Sequence, residues 1–207
     1  MSPSSAPPGP PPIQTALAQM ATFRRFTVAE YHELIRIGVL TTEDRVELID
    51  GYLVNKMPQN DPHASTVMRL AEDLFRNVPV GWQARSQLPI TLANGEPEPD
   101  GAVVRGGRRT YDTRKPTGTD FGIVIEVSDS TLAFDRRFKM AEYAGAGIPV
   151  YWIVNLIDER VEVYTSPDPT ADPPAYRTRT DYAHGQSVPL VLDGTTVASI
   201  PVADLLP

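Results

Sequence analysis

Apolar residues recur at helical spacing in some stretches of the chain and fill short unbroken runs in others, which predicts a mixed α/β protein. Tyr31, Leu34 and Ile35 give one helical face behind Thr27-Val28-Ala29-Glu30, a capping-box spacing, and the face stops near Gly38. Arg45 to Ile49 and Tyr52 to Met57 flank Asp50-Gly51, a pair suited to a tight hairpin, and this places Glu47 on the first strand. Asn60 or Asp61 as cap and Pro62 in the first turn open a second helix, whose apolar positions Ala64, Val67, Met68, Ala71, Leu74 and Phe75 carry it to about Val78. Gln83 to Ala93 reads as a strand, and Glu98 to Val104 as another that begins with an acid. Gly122 to Ser128 and Val150 to Val154 are β-branched runs of the kind that fill buried strands, with a helix from about Asp135 to Gly145 between them. Arg160 to Thr165 supplies a hairpin partner, and short strands are expected at Tyr176 to Tyr182, Val188 to Leu192 and Thr196 to Ile200.

Composition divides the chain. Residues 1–22 hold Pro3, Pro7, Pro8, Pro10, Pro11 and Pro12 among small polar residues, which favours a disordered tail, and residues 23–207 are long enough for one domain. No run of 18 apolar residues exists, and the N-terminus lacks a basic-then-apolar leader pattern, so a cytoplasmic protein with no membrane partner is expected. With no cysteine and three histidines, a bound metal must be held largely by oxygen, which points to magnesium, manganese or calcium. The formal charge of −7 argues against a general nucleic-acid coat but leaves room for a local basic patch.

Glu126 stands out because it closes an otherwise apolar strand, where a carboxylate has lost much of its water and needs a cation or donors in exchange. Asp100 at the start of a strand, Glu47 on the first hairpin, and Lys139 one turn after Asp135 complete a set of three acids and an ammonium. Converging carboxylates suit a hard divalent cation, and a nearby ammonium suits the negative charge that develops in phosphodiester hydrolysis. Each residue also has a plainer reading. Glu47 reads as a solvent-facing strand residue, Asp100 as a turn acid after Pro99, and Asp135 with Lys139 as a surface ion pair. Tyr143, Tyr151 and Trp152 read as core.

Pro99-Asp100 followed by Glu126 resembles the PD-(D/E)xK nuclease superfamily. The series Glu47-Leu48-Ile49-Asp50-Gly51, Glu98-Pro99-Asp100, Val124-Ile125-Glu126-Val127-Ser128, Asp135, Lys139, Tyr143 and Tyr151-Trp152-Ile153-Val154 resembles, in that order, the Uma-type restriction-endonuclease family. The resemblance runs from about residue 24 to the C-terminus. It implies a restriction-endonuclease-like α/β (α+β) fold, a central mixed sheet flanked by helices, here with an additional β-rich C-terminal part. It also implies a homodimer and a Mg²⁺- or Mn²⁺-dependent endonuclease acting on DNA. Asp100 and Glu126 would hold the metal with the Val127 carbonyl as a third ligand, Glu47 would complete the acidic cluster, and His63 and Asp135 would be accessory. The chain departs from the superfamily at Ser128, where a lysine is usual two residues after the acid, and Lys139 on the following helix takes that role. Eight of the 19 basic residues flank the two ligand strands, and Arg105, Arg108, Arg109 and Arg136 are the expected phosphate contacts. The alternative is a catalytically silent binding or assembly module on the same fold.

Overall fold

The computed structural model describes residues 23–207, so the expected Pro-rich tail lies outside the described residues. Helix α1 (Val28–Arg36) carries the full capping box: the Thr27 side chain accepts from the Glu30 amide, and Glu30 accepts from the Thr27 amide. The hairpin β1 (Val46–Ile49) and β2 (Tyr52–Asn55) turns through Asp50 and Gly51 at φ 47° and 79°. Both are left-handed, the combination a two-residue hairpin turn demands and Asp-Gly supplies at little cost. Helix α2 (Asp61–Asn77) opens with the Asn60 side chain accepting from the His63 amide and Pro62 in its first turn.

Six strands make the central sheet: β3 (Trp82–Ser86), β4 (Gly101–Arg105), β5 (Phe121–Ser128), β6 (Val150–Asn155), β7 (Arg160–Asp168) and β8 (Ala175–Ala183), in spatial order β3-β4-β5-β6-β7-β8. Only β5 and β6 run parallel within this sheet, and a parallel neighbour requires a crossover. The crossover is helical: α3 (Leu132–Phe134) runs through a π-helical turn (Asp135–Lys139) into α4 (Met140–Gly145). A second hairpin, β9 (Ser187–Leu192) with β10 (Thr195–Pro201), ends in the short helix α5 (Val202–Leu205).

The sheet is covered on both faces, so β5 and β6 are buried along their whole length. On one face Ile123, Ile125 and Val127 pack against Leu70 and Leu74 of α2 and against Leu190, Leu192 and Leu205 of the C-terminal part. Gly122 is needed here, because a Cβ would stand 2.6 Å from the Trp82 ring and 2.8 Å from Leu192. On the other face Val124, Tyr151 and Ile153 pack against Tyr143 and Ile148, with Ile90 and Leu92 from the stretch before β4.

Two expected elements differ. The strand foreseen over Gln83 to Ala93 ends at Ser86, where Gln87 turns left-handed at φ 49° and Pro89 lacks an amide to donate, so Ile90 and Leu92 reach the core from irregular chain. The crossover helix begins at Leu132 rather than Asp135 and is interrupted by the π turn.

Glu142 of α4 accepts from the Asp50 amide at 2.6 Å and so ties the crossover to the first hairpin. Burial pushes its carboxyl up to about 7, against the backbone hydrogen bond that lowers it. A carboxyl whose folded value is raised contributes stability present in full below its unfolded value and lost as pH rises through 7. Glu142→Gln keeps the acceptor without the charge. It is expected to match the wild type in thermal melts at pH 4.5 and to exceed it at pH 8 by roughly 2 kcal/mol.

Candidate active site

Glu126 lies on β5 two residues before its end, on the face that carries Val124 and packs against Tyr143, and is 3% exposed. Its Oε1 accepts from the Tyr143 hydroxyl at 2.6 Å and stands 3.0 Å from Lys139 Nζ. The same ammonium lies 3.4 Å from Glu47 Oε2, which also accepts from the Glu98 amide at 3.1 Å. Asp100, just before β4, accepts from the Val127 amide at 2.9 Å and lies 3.5 Å from His63 Nε2. One carboxylate is thus delivered by the hairpin, one by the lead into β4 and one by β5, and the lysine comes from the crossover.

The local backbone explains why Lys139 arrives there. Asp135 is buried and accepts from Ser128 and Thr131, each at 2.7 Å, which pins the start of the π turn to the end of β5. A π turn widens the helix by one residue, and such turns recur at functional sites. Here it carries Lys139 inward, with both Asp135 and Lys139 buried. The plainer reading of Asp135 and Lys139 as a surface ion pair does not hold: Asp135 anchors the turn, and Lys139 bridges Glu126 and Glu47.

Electrostatics follow from burial. Loss of water drives the Glu126 carboxyl well above its usual range, with Lys139 opposing, and raises Asp135 for the same reason. Burial alone would lower Lys139, but the attraction of Glu126, Glu47 and Asp135 outweighs it and holds the ammonium charged. Burial likewise disfavours protonated His63, yet Asp100, the Val127 backbone and Asp135 raise its proton affinity.

These groups lie on the wall of a cavity of about 950 Å³, whose lining also includes Tyr31, Ile35, Met57 and Phe134. Its donor chemistry fits a hard divalent cation: carboxylate oxygens from the lead into β4 and from the adjacent β5, the Val127 carbonyl next to Glu126 in sequence, and a buried His63 Nδ1 with no hydrogen-bond partner. Among the described residues, no three His, Asp or Glu side chains are already grouped as an ion cage.

The expected phosphate contacts divide differently. Arg105 ends β4 opposite Trp82, about 17 Å along the strand from Asp100 at 3.3 Å per residue. It pairs with Asp193 and stacks on Trp82, so it is removed from the site, and Arg108 and Arg109 follow it into the loop beyond. Arg136 is also excluded. It is claimed by the fully buried Glu162, which further accepts from Asn155 at 2.7 Å and Tyr164 at 2.6 Å. Besides Lys139, the basic groups that line the cavity are Arg45, Lys56 and Lys115, the last two paired with Glu98 and Glu96. Lys115 belongs to the basic cluster that follows the Asp100 strand, and Tyr143, which reads as core, lies at helical spacing from Lys139; Arg45 and Lys56 carry no such signal in the sequence.

The Uma2 family, described as "Putative restriction endonuclease", matches residues 28–199, and the chain belongs to that family. A crystal structure described as that of "a putative nuclease belonging to DUF820 from Anabaena variabilis" superposes with a TM-score of 0.64 at 16% identity, covering 87% of this chain and 97% of that one. The likeness shows the shared fold. No curated protein matches. No helix among the described residues is long and apolar enough to cross a membrane.

Tyr143→Phe removes a donor from a buried carboxylate and is expected to lower unfolding free energy by about 1–3 kcal/mol. Chemical denaturation at pH 8 checks this. A change within error would mean that Lys139 alone satisfies Glu126.

Proposed function

We propose that this Uma2 family member is a Mg²⁺- or Mn²⁺-dependent endonuclease that hydrolyses DNA phosphodiester bonds with a PD-(D/E)xK-type site. The observation that carries the reading is the convergence of Asp100, Glu126 and Lys139 from three separate elements onto one cavity wall. A buried Glu–Lys pair with further carboxylates beside it is an expensive arrangement for structure alone, since apolar residues of similar volume would serve as well or better.

In this reading Asp100 and Glu126 hold the cation with the Val127 carbonyl, and Glu47 adds negative charge at the same wall. The cation would polarise a phosphoryl oxygen and acidify a water. Lys139, kept protonated by its carboxylates, stabilises the charge that develops on the phosphoryl oxygens. Tyr143 fixes the orientation of Glu126, and Asp135 fixes the turn that presents Lys139. His63 stands beside the Asp100 oxygen that also accepts from the Val127 amide. Arg45, Lys56 and Lys115 replace Arg105 and Arg136 as the basic side chains placed to meet substrate phosphates.

A plasmid-nicking time course in magnesium or manganese tests the proposal. The wild type should convert supercoiled plasmid to open circles, and Glu126→Ala prepared identically should not. Equal rates for the two proteins would assign the cleavage to a contaminant or another site, and a wild type inert on both the plasmid and a single-stranded circle would favour the silent module. Lys139→Met should lower turnover by about 10²-fold or more while manganese affinity in calorimetry stays the same or tightens; a loss confined to metal binding would make Lys139 structural.

A further inference from the structure

Phe138 lies in the π turn one residue before Lys139, and its ring is 45% exposed. The ring stands 5.1 Å from that of Phe134, tilted by 39°, and Phe134 lines the cavity. The Arg137 guanidinium lies over the outer aromatic, 5.1 Å from the Phe138 centroid. Arg136 beside it is consumed by Glu162, whereas the Arg137 guanidinium makes no ion pair or hydrogen bond among the described residues. Ile35 and Met57, which also line the cavity, are exposed as well, at 45% and 57%. Two adjoining phenyl rings, the inner one on the cavity lining, with an unengaged guanidinium on the outer one, match the chemistry that binds unpaired bases: sequence-tolerant π faces with a cation beside them.

Charge points the same way. Seven carboxylates and four Lys or Arg side chains line the cavity. A duplex carries one phosphate charge per about 1.7 Å of axis, twice the density of either strand, so an acid-rich wall disfavours it more strongly. A single strand can present one phosphate to the wall and lay its bases on the phenyl rings.

We infer that Phe134, Arg137 and Phe138 form a stacking platform for an unpaired base, and that the preferred substrate is single-stranded or locally unpaired DNA. The inference rests on the nuclease reading, whose site it borders.

Fluorescence anisotropy on the wild-type chain in calcium, with a labelled 20-nucleotide strand and the matching duplex, tests it through binding alone. The single strand is expected to bind at least tenfold more tightly than the duplex. Phe138→Ala should lose roughly tenfold or more for the single strand and little for the duplex, with Phe138→Trp restoring affinity and both variants melting at the wild-type temperature. Duplex binding as tight as single-strand binding, or an unchanged affinity in Phe138→Ala, would overturn the platform. So would a sedimentation shift from dimer to monomer in Phe138→Ala, which would assign the patch to a second copy of this chain. Plasmid nicking is scored separately, so a fallen platform leaves the nuclease reading standing, and loss of both would show in the two assays independently.

Discussion

The ammonium of Lys139, 3.0 Å from Glu126 and 3.4 Å from Glu47, allows two carboxylates to stand where the pattern of the sheet would otherwise put hydrophobes. Remove it, and the wall retains acids that have lost their water and have only the Tyr143 hydroxyl and the Glu98 amide in its place. The rest of the site is arranged around supplying that one charge. Asp135 is itself buried, yet two hydroxyls satisfy the oxygen that anchors the π turn, so burial there serves the position of Lys139. Glu162 holds the next residue of the same turn through Arg136. The start of the π turn is therefore held twice, by Asp135 to β5 and by Arg136 to β7.

The topology makes the constellation possible. Because β5 and β6 are parallel, the chain must cross a face of the sheet between them, and the crossover passes over the face that carries Glu126. The first hairpin is joined to the same place by short backbone contacts: Glu96 donates to the Leu48 carbonyl and Gly51 to the Asn94 carbonyl, each at 2.7 Å. Asp100 reaches across to the Val127 amide, which locks the lead into β4 to the end of β5. Stability and site thus draw on the same bonds, a coupling expected of a connected buried polar network.

Local chemistry was legible in the sequence, long-range pairing much less so. Thr27 with Glu30, Asn60 with Pro62, and Asp50 with Gly51 act within a few residues, and each marks an element the structure contains. The β-branched runs of β5 and β6 announced buried strands, and Glu126 announced itself by interrupting one. The direction of a strand in space is not written in the local pattern of basic residues. Arg105 is five positions from Asp100 in sequence, but an extended strand turns those positions into separation, and its partner Asp193 lies 88 residues on. Arg136 is likewise held by a distant partner, Glu162, 26 residues away. The π turn has no pattern of its own, since the apolar spacing around Asp135 and Lys139 fits an ordinary helix.

Everything in the site depends on whether the wall that holds Asp100 and Glu126 takes a cation. Anomalous diffraction from crystals grown with manganese addresses that directly. A manganese peak bonded to carboxylate oxygens of both Asp100 and Glu126 is expected. A peak elsewhere, with Lys139 still against Glu126 and Asp100 bound only to the Val127 amide, would contradict it.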